Sequence, residues 1–102
     1  MKYKIGDKVK IRTWKDMASD FEIDFAGDIN CPGPFFSKLM EKHLQDDYPD
    51  RALTIVTIVG NYSYTVQESG FYYTDYMIEC LAKDYVKPVL VLNRFEILDF
   101  ED

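Results

Sequence analysis

The chain has 102 residues, of which 47% are hydrophobic and 16% aromatic, and a formal net charge of −6. That is one domain's length with enough apolar content to build its own core, so no metal or disulfide staple is required. Cys31 and Cys80 share no CxxC spacing, and the apolar runs fall far short of the ~20 residues that span a bilayer. This composition argues against a zinc knuckle, a disulfide scaffold and a membrane helix. The opening MKYKIGDK lacks the apolar region of a secretory leader, so a soluble, reduced, cytoplasmic protein is expected.

Charge is laid out unevenly. Residues 1–15 carry six bases against the single acid Asp7, leaving six bases and seventeen acids beyond. Within that opening, KVKIR alternates: Val9 and Ile11 fall on one side, and Lys8, Lys10 and Arg12 on the other. This is the pattern of a half-buried strand, entered through a turn at Gly6-Asp7. Tyr3 and Ile5 share the parity of the buried pair.

The next stretch, DMASDFEIDFAGD, holds Asp16, Asp20, Glu22, Asp24 and Asp28 with no base among them. Periodicity is weak there and GDINCPGP is rich in turn formers, so residues 16–33 are predicted as an excursion with at most a short ordered piece. A helix is predicted from Pro34 to about residue 46. Phe36, Leu39, Met40, His43 and Leu44 recur on one face, with Lys38, Glu41, Lys42 and Gln45 on the other.

From Leu53 to Asp75 the sequence reads as three antiparallel strands with two-residue turns at Gly60-Asn61 and Ser69-Gly70. These turns would oppose Val59 to Tyr62, Thr57 to Tyr64 and Ile55 to Val66, and then Val66 to Tyr73 and Glu68 to Phe71. One inner surface follows: Leu53, Ile55, Val59, Tyr62, Tyr64, Val66, Phe71 and Tyr73. Val56 and Ile58 then need cover on the opposite face, from the helix or the C-terminal segment. Thr74 is expected to cap a short helix at about 75–82, and VKPVLVLNRFEIL to be extended, entered at an edge because of Pro88.

Two stretches, GDKVKIR and FYYTDYMIE, together resemble small SH3-like β-barrel proteins of bacteriophages and mobile elements, which open with GDxVxIR and end with an aromatic strand and TDxM. The opening is also similar to the first strand of KOW-type ribosomal barrels. The resemblance covers residues 5–12 and 53–80, and this chain departs from it at Tyr76, where Glu is common. It implies a mainly β, α+β fold: a five-stranded, strongly bent SH3-like antiparallel barrel. Residues 1–102 would form a single domain, with a helix-bearing insertion at about 16–50 and an extension at about 84–102. It brings no catalytic residue.

The residues themselves offer none. A thiol nucleophile would have to be Cys31 or Cys80 with His43 as base, but His43 borders an apolar helical face and Cys80 reads as a small core residue. Cys31, in NCPGP, is expected to be the more exposed thiol. Neither zinc spacing, an EF-hand loop nor a phosphate-cradling glycine motif occurs, so no catalytic, cofactor-binding or metal residue is expected.

What remains is binding. The favoured expectation is a non-catalytic protein-binding module, with Trp14, Asp16, Asp20, Phe21, Glu22, Asp24, Asp28, Tyr72 and Tyr76 as candidate partner contacts. An alternative is an acidic inhibitor resembling anti-CRISPR proteins, whose acids at 16–28 and 46–50 stand in for phosphates. A third is an RNA-binding barrel using Lys8, Lys10, Arg12 and Lys15. The following acids and the overall −6 count against the third, making a solvated strand face the simpler account of the basic strip. No membrane partner is expected.

Overall fold

The computed structural model describes residues 2–86. In chain order its elements are β1 (Lys8–Ile11), α1 (Trp14–Asp20), β2 (Glu22–Ile23), β3 (Ile29–Asn30), α2 (Lys38–Asp47), β4 (Ala52–Val59), β5 (Ser63–Val66), β6 (Ser69–Tyr73) and β7 (Ile78–Leu81). Five strands form one antiparallel sheet in the order β6-β5-β4-β1-β7, and β2 and β3 make a separate two-stranded ribbon. This is a small α+β fold. Among the described residues the edge strands β6 and β7 do not pair with each other, so the sheet is open where a closed barrel was expected.

The alternation of KVKI does what it should: Val9 and Ile11 are fully buried while Lys8 is exposed. β1 lies between β4, with Val9 opposite Leu53, and β7, with Val9 opposite Leu81. Ile5 does not follow the same parity inward and is exposed, because the Gly6 turn, with φ 95°, intervenes.

The excursion is more ordered than its weak periodicity predicts. Thr13 caps α1 by accepting the Asp16 N–H at 3.1 Å, and Met17 on its inner face is fully buried. The β2–β3 hairpin is set by Asp24, whose carboxylate accepts the N–H groups of Ala26 at 2.9 Å and Asp28 at 3.0 Å. Ile29 then pairs with Phe36 through reciprocal backbone bonds of 2.9 and 3.0 Å, sealing both side chains into the core.

That bridge explains why α2 begins at Lys38 and not at Pro34: Phe36 is committed to extended backbone, and Ser37 becomes the cap, accepting the Met40 N–H at 3.1 Å. Met40 and Leu44 are buried, whereas Leu39, expected on the inner face, is 69% exposed. The buried stripe of α2 is narrower than predicted.

The hairpins keep their strands but not their turns. Gly60, Asn61 and Tyr62 form a three-residue connection with Ser63 opposite Val59, which leaves Tyr62 72% exposed and Val59 exposed as well. A bulge between Ile55 and Thr57 restores the predicted pairing of Ile55 with Val66. The second turn is Gln67-Glu68, so Tyr73 faces Tyr64 instead of Val66. Leu53, Ile55, Tyr64, Val66 and Tyr73 are nevertheless buried as expected, and Phe71 half-buried. Val56 and Ile58 have no cover among the described residues.

The expected helix at 75–82 is instead a single 3-10 turn, Asp75–Met77, followed by β7. The open side of β1 decides this, since Ile78 and Cys80 pair with Ile11 and Lys10 there. Thr74 is buried but makes no side-chain cap. The extended segment predicted around Pro88, like most of the extension at 84–102, lies outside the described residues.

Candidate functional site

Two arginines knit the excursion to the sheet. Arg12, at the end of β1, gives its Nε–H to the Asp16 carboxylate at 2.8 Å and its Nη2–H to Asp20, while Nη1–H reaches the Tyr76 carbonyl at 3.0 Å. Its guanidinium also lies 5.8 Å from the centre of the Phe21 ring, and Phe21 meets Tyr76 edge-on at 6.0 Å. The hydrogen bond from Arg12 holds the Asp16 carboxyl below its ordinary pKa, with the attraction of the two charges adding to it. Four candidate contacts, Asp16, Asp20, Phe21 and Tyr76, thus assemble around Arg12.

Arg51 was not legible as a functional or structural centre. It is 8% exposed, has a left-handed φ of 60°, and forms a two-pronged pair with Glu41 of α2 at 2.7 and 3.0 Å. Its Nε–H also goes to the Ile11 carbonyl at 3.2 Å, and Nη2–H to the Arg12 carbonyl. One side chain therefore ties α2 to the end of β1.

The other candidates are dispersed. Trp14 packs against Phe36 at 5.9 Å between ring centres, as part of the excursion's own core. Asp24 and Asp28 serve turns, the latter accepting the Lys38 N–H at 3.0 Å, and Glu22 is exposed on β2. Of the basic strip, Arg12 makes four hydrogen bonds to acceptors of its own chain, while Lys10 gives its ammonium to the Asp50 carbonyl at 2.6 Å and covers the Tyr85 ring at 4.2 Å. Lys8 and Lys15 are exposed.

Tyr72 belongs to a larger open surface. With Phe71 of β6, Pro34 and Phe35 of the preceding loop, and Leu39 of α2, it lines an apolar groove of about 620 Å³ rimmed by Asp28 and Lys38. Phe35, Leu39 and Tyr72 are exposed. Sequence reading missed Phe35 and Leu39; the available sign was PFF, two adjacent rings of which only one can face inward.

Among the described residues nothing couples the thiols to His43. Both ring nitrogens of His43 are engaged, Nε2 with the Glu68 carbonyl at 3.2 Å and Nδ1 with the Asp47 carboxylate at 3.1 Å. Cys31, expected to be the exposed thiol, is buried, and burial pushes its pKa up; Cys80 is half-buried and also shifted up. Two buried tyrosines are likewise shifted: Tyr64, which donates to Asp75 and accepts the Tyr3 N–H at 3.1 Å, and Tyr73 are each pushed up to about 12, mainly by burial. Among the described residues no cluster of His, Cys, Asp and Glu could hold a metal ion, and no helix is long and apolar enough to cross a membrane.

No protein-family model, curated protein or solved structure matches the chain.

Proposed function

We propose that this chain is a non-catalytic protein-binding module, SH3-like in kind, whose partner seats on the groove between α2 and β6. The observation that carries the reading is an apolar wall at one edge of the sheet, where exposed Phe35, Leu39 and Tyr72 stand beside half-buried Pro34 and Phe71. Leu39 and Phe35 lie away from the core of their own chain, and covering such side chains contributes about 1.5–3 kcal/mol each. The SH3-like part draws support from five antiparallel strands in which three of the four ladders carry a register shift, since bulges bend and coil a sheet.

The acidic-mimic alternative is weaker. Asp16 and Asp20 are bound to Arg12, Asp46 to Lys42 at 2.7 Å, and Asp24 and Asp28 to backbone N–H groups, so these carboxylates have local work to do.

Peptides selected against the immobilised protein from a random library, mapped by amide chemical-shift perturbation, test the proposal. Shifts are expected at Phe35, Leu39, Phe71 and Tyr72, and Leu39→Asp should weaken binding at least tenfold while leaving the melting temperature unchanged. Selected peptides that bind the Leu39→Asp protein equally well would refute it.

A further inference from the structure

The basic strip that the sequence presents is taken apart by the fold, and a different one is assembled. Lys10 and Arg12 turn to internal partners. Lys8 instead joins Lys2, Lys4 and Lys83 around a groove of about 560 Å³, also lined by Tyr3, Asp7 and Leu81. All four lysines are exposed, and none forms an ion pair with a carboxylate among the described residues. Asp7, the one acid in the lining, accepts the Lys4 N–H at 3.0 Å and so fastens the turn before β1.

We propose that this groove binds the sugar-phosphate backbone of a single-stranded nucleic acid, a second activity at the β7 end of the sheet, independent of the protein-binding groove beside β6. Four lysines with no ion-pair partner among the described residues line one concavity with a single acid, a local concentration of positive charge in a protein whose net charge is −6. The volume lies within the ~300–1,000 Å³ of ligand clefts. Tyr3 adds an aromatic ring to the lining, the usual companion of lysines where unpaired bases stack. A duplex is the poorer fit: Glu79 and Asp84, both exposed, neighbour the lining residues Leu81 and Lys83 in the chain, and their charge would oppose a broad phosphate surface.

Fluorescence anisotropy of a labelled uridine oligomer of about ten nucleotides, with the full-length protein, tests this. Neutralising three or four phosphates predicts that affinity falls roughly 20- to 50-fold between about 50 and 200 mM salt. Reversing Lys8→Glu with Lys83→Glu should weaken binding more than tenfold, and Lys2→Glu with Lys4→Glu should do the same from the other wall. Lys38→Glu with Lys42→Glu, the same charge change on α2, should alter it less than threefold. No binding at the lower salt overturns the proposal, as does equal loss in the α2 variant. Equal competition by a polyglutamate of matched charge also overturns it, assigning the groove to acidic protein segments instead.

Discussion

A buried guanidinium bonded to a carboxylate and two backbone carbonyls leaves expensive orphans when it is removed. Arg51→Ala takes the only ion-pair partner from the Glu41 carboxylate, whose side chain is only 12% exposed and which keeps the Gln45 amide at 2.9 Å, and removes the guanidinium N–H groups from the Ile11 and Arg12 carbonyls. Breaking a pair of this kind costs about 3–5 kcal/mol, to be read as a lower urea midpoint. The tyrosines predict a pH response. Because the folded pKa values of Tyr64 and Tyr73 are raised to about 12, both hold their protons more tightly folded than unfolded. Their contribution is complete below the ordinary value of 10.0 and is lost as pH climbs towards 12. Of the eight tyrosines, these two should show phenolate absorbance only as the chain unfolds, and Tyr64→Phe should flatten the alkaline stability profile. Asp16 works the opposite way: its lowered pKa stabilises the fold above about 4 and ceases to do so as pH falls further, a loss absent from Arg12→Leu.

At the scale of the element, caps and turns decide boundaries that periodicity leaves open. Ser37→Ala removes the acceptor for the Met40 N–H and should cost about 1 kcal/mol in thermal or urea unfolding. The strands themselves were readable, because Leu53, Ile55, Tyr64, Val66 and Tyr73 point inward on period two. Their turns were not. Gly-Asn looked like a two-residue loop, but Tyr62 joins it, and the bulge at Ile55 to Thr57 absorbs the extra residue two pairs later. Nor could local sequence show that DYMIEC would be claimed by the open side of β1, since hydrogen-bond demand from a strand more than sixty residues away carries no local mark. The candidate site was legible only at Tyr72 and Asp28. Leu39 was read as part of a regular inward helical face and Phe35 was assigned no role, because the Ile29–Phe36 bridge that delays α2 to Lys38 has no local mark.

For the molecule as a whole, Arg12 and Arg51 make the inserted segment and the sheet one mechanical unit. Trp14, the only tryptophan, reports on the segment through its contact with Phe36, while far-ultraviolet dichroism reports mainly on secondary structure throughout. The two unfolding curves in urea should therefore coincide; separate midpoints would show the insertion melting by itself. The strand order has a further consequence. Four interstrand spacings of about 4.8 Å set the outermost strands roughly 19 Å apart, with a greasy ledge at one margin and a cationic channel at the other. A peptide and an oligonucleotide seated there would not collide, and each would meet the other at millimolar effective concentration once joined by a short tether. With both proposed grooves filled, the width of the sheet would be the gauge that sets how far apart the two ligands are held.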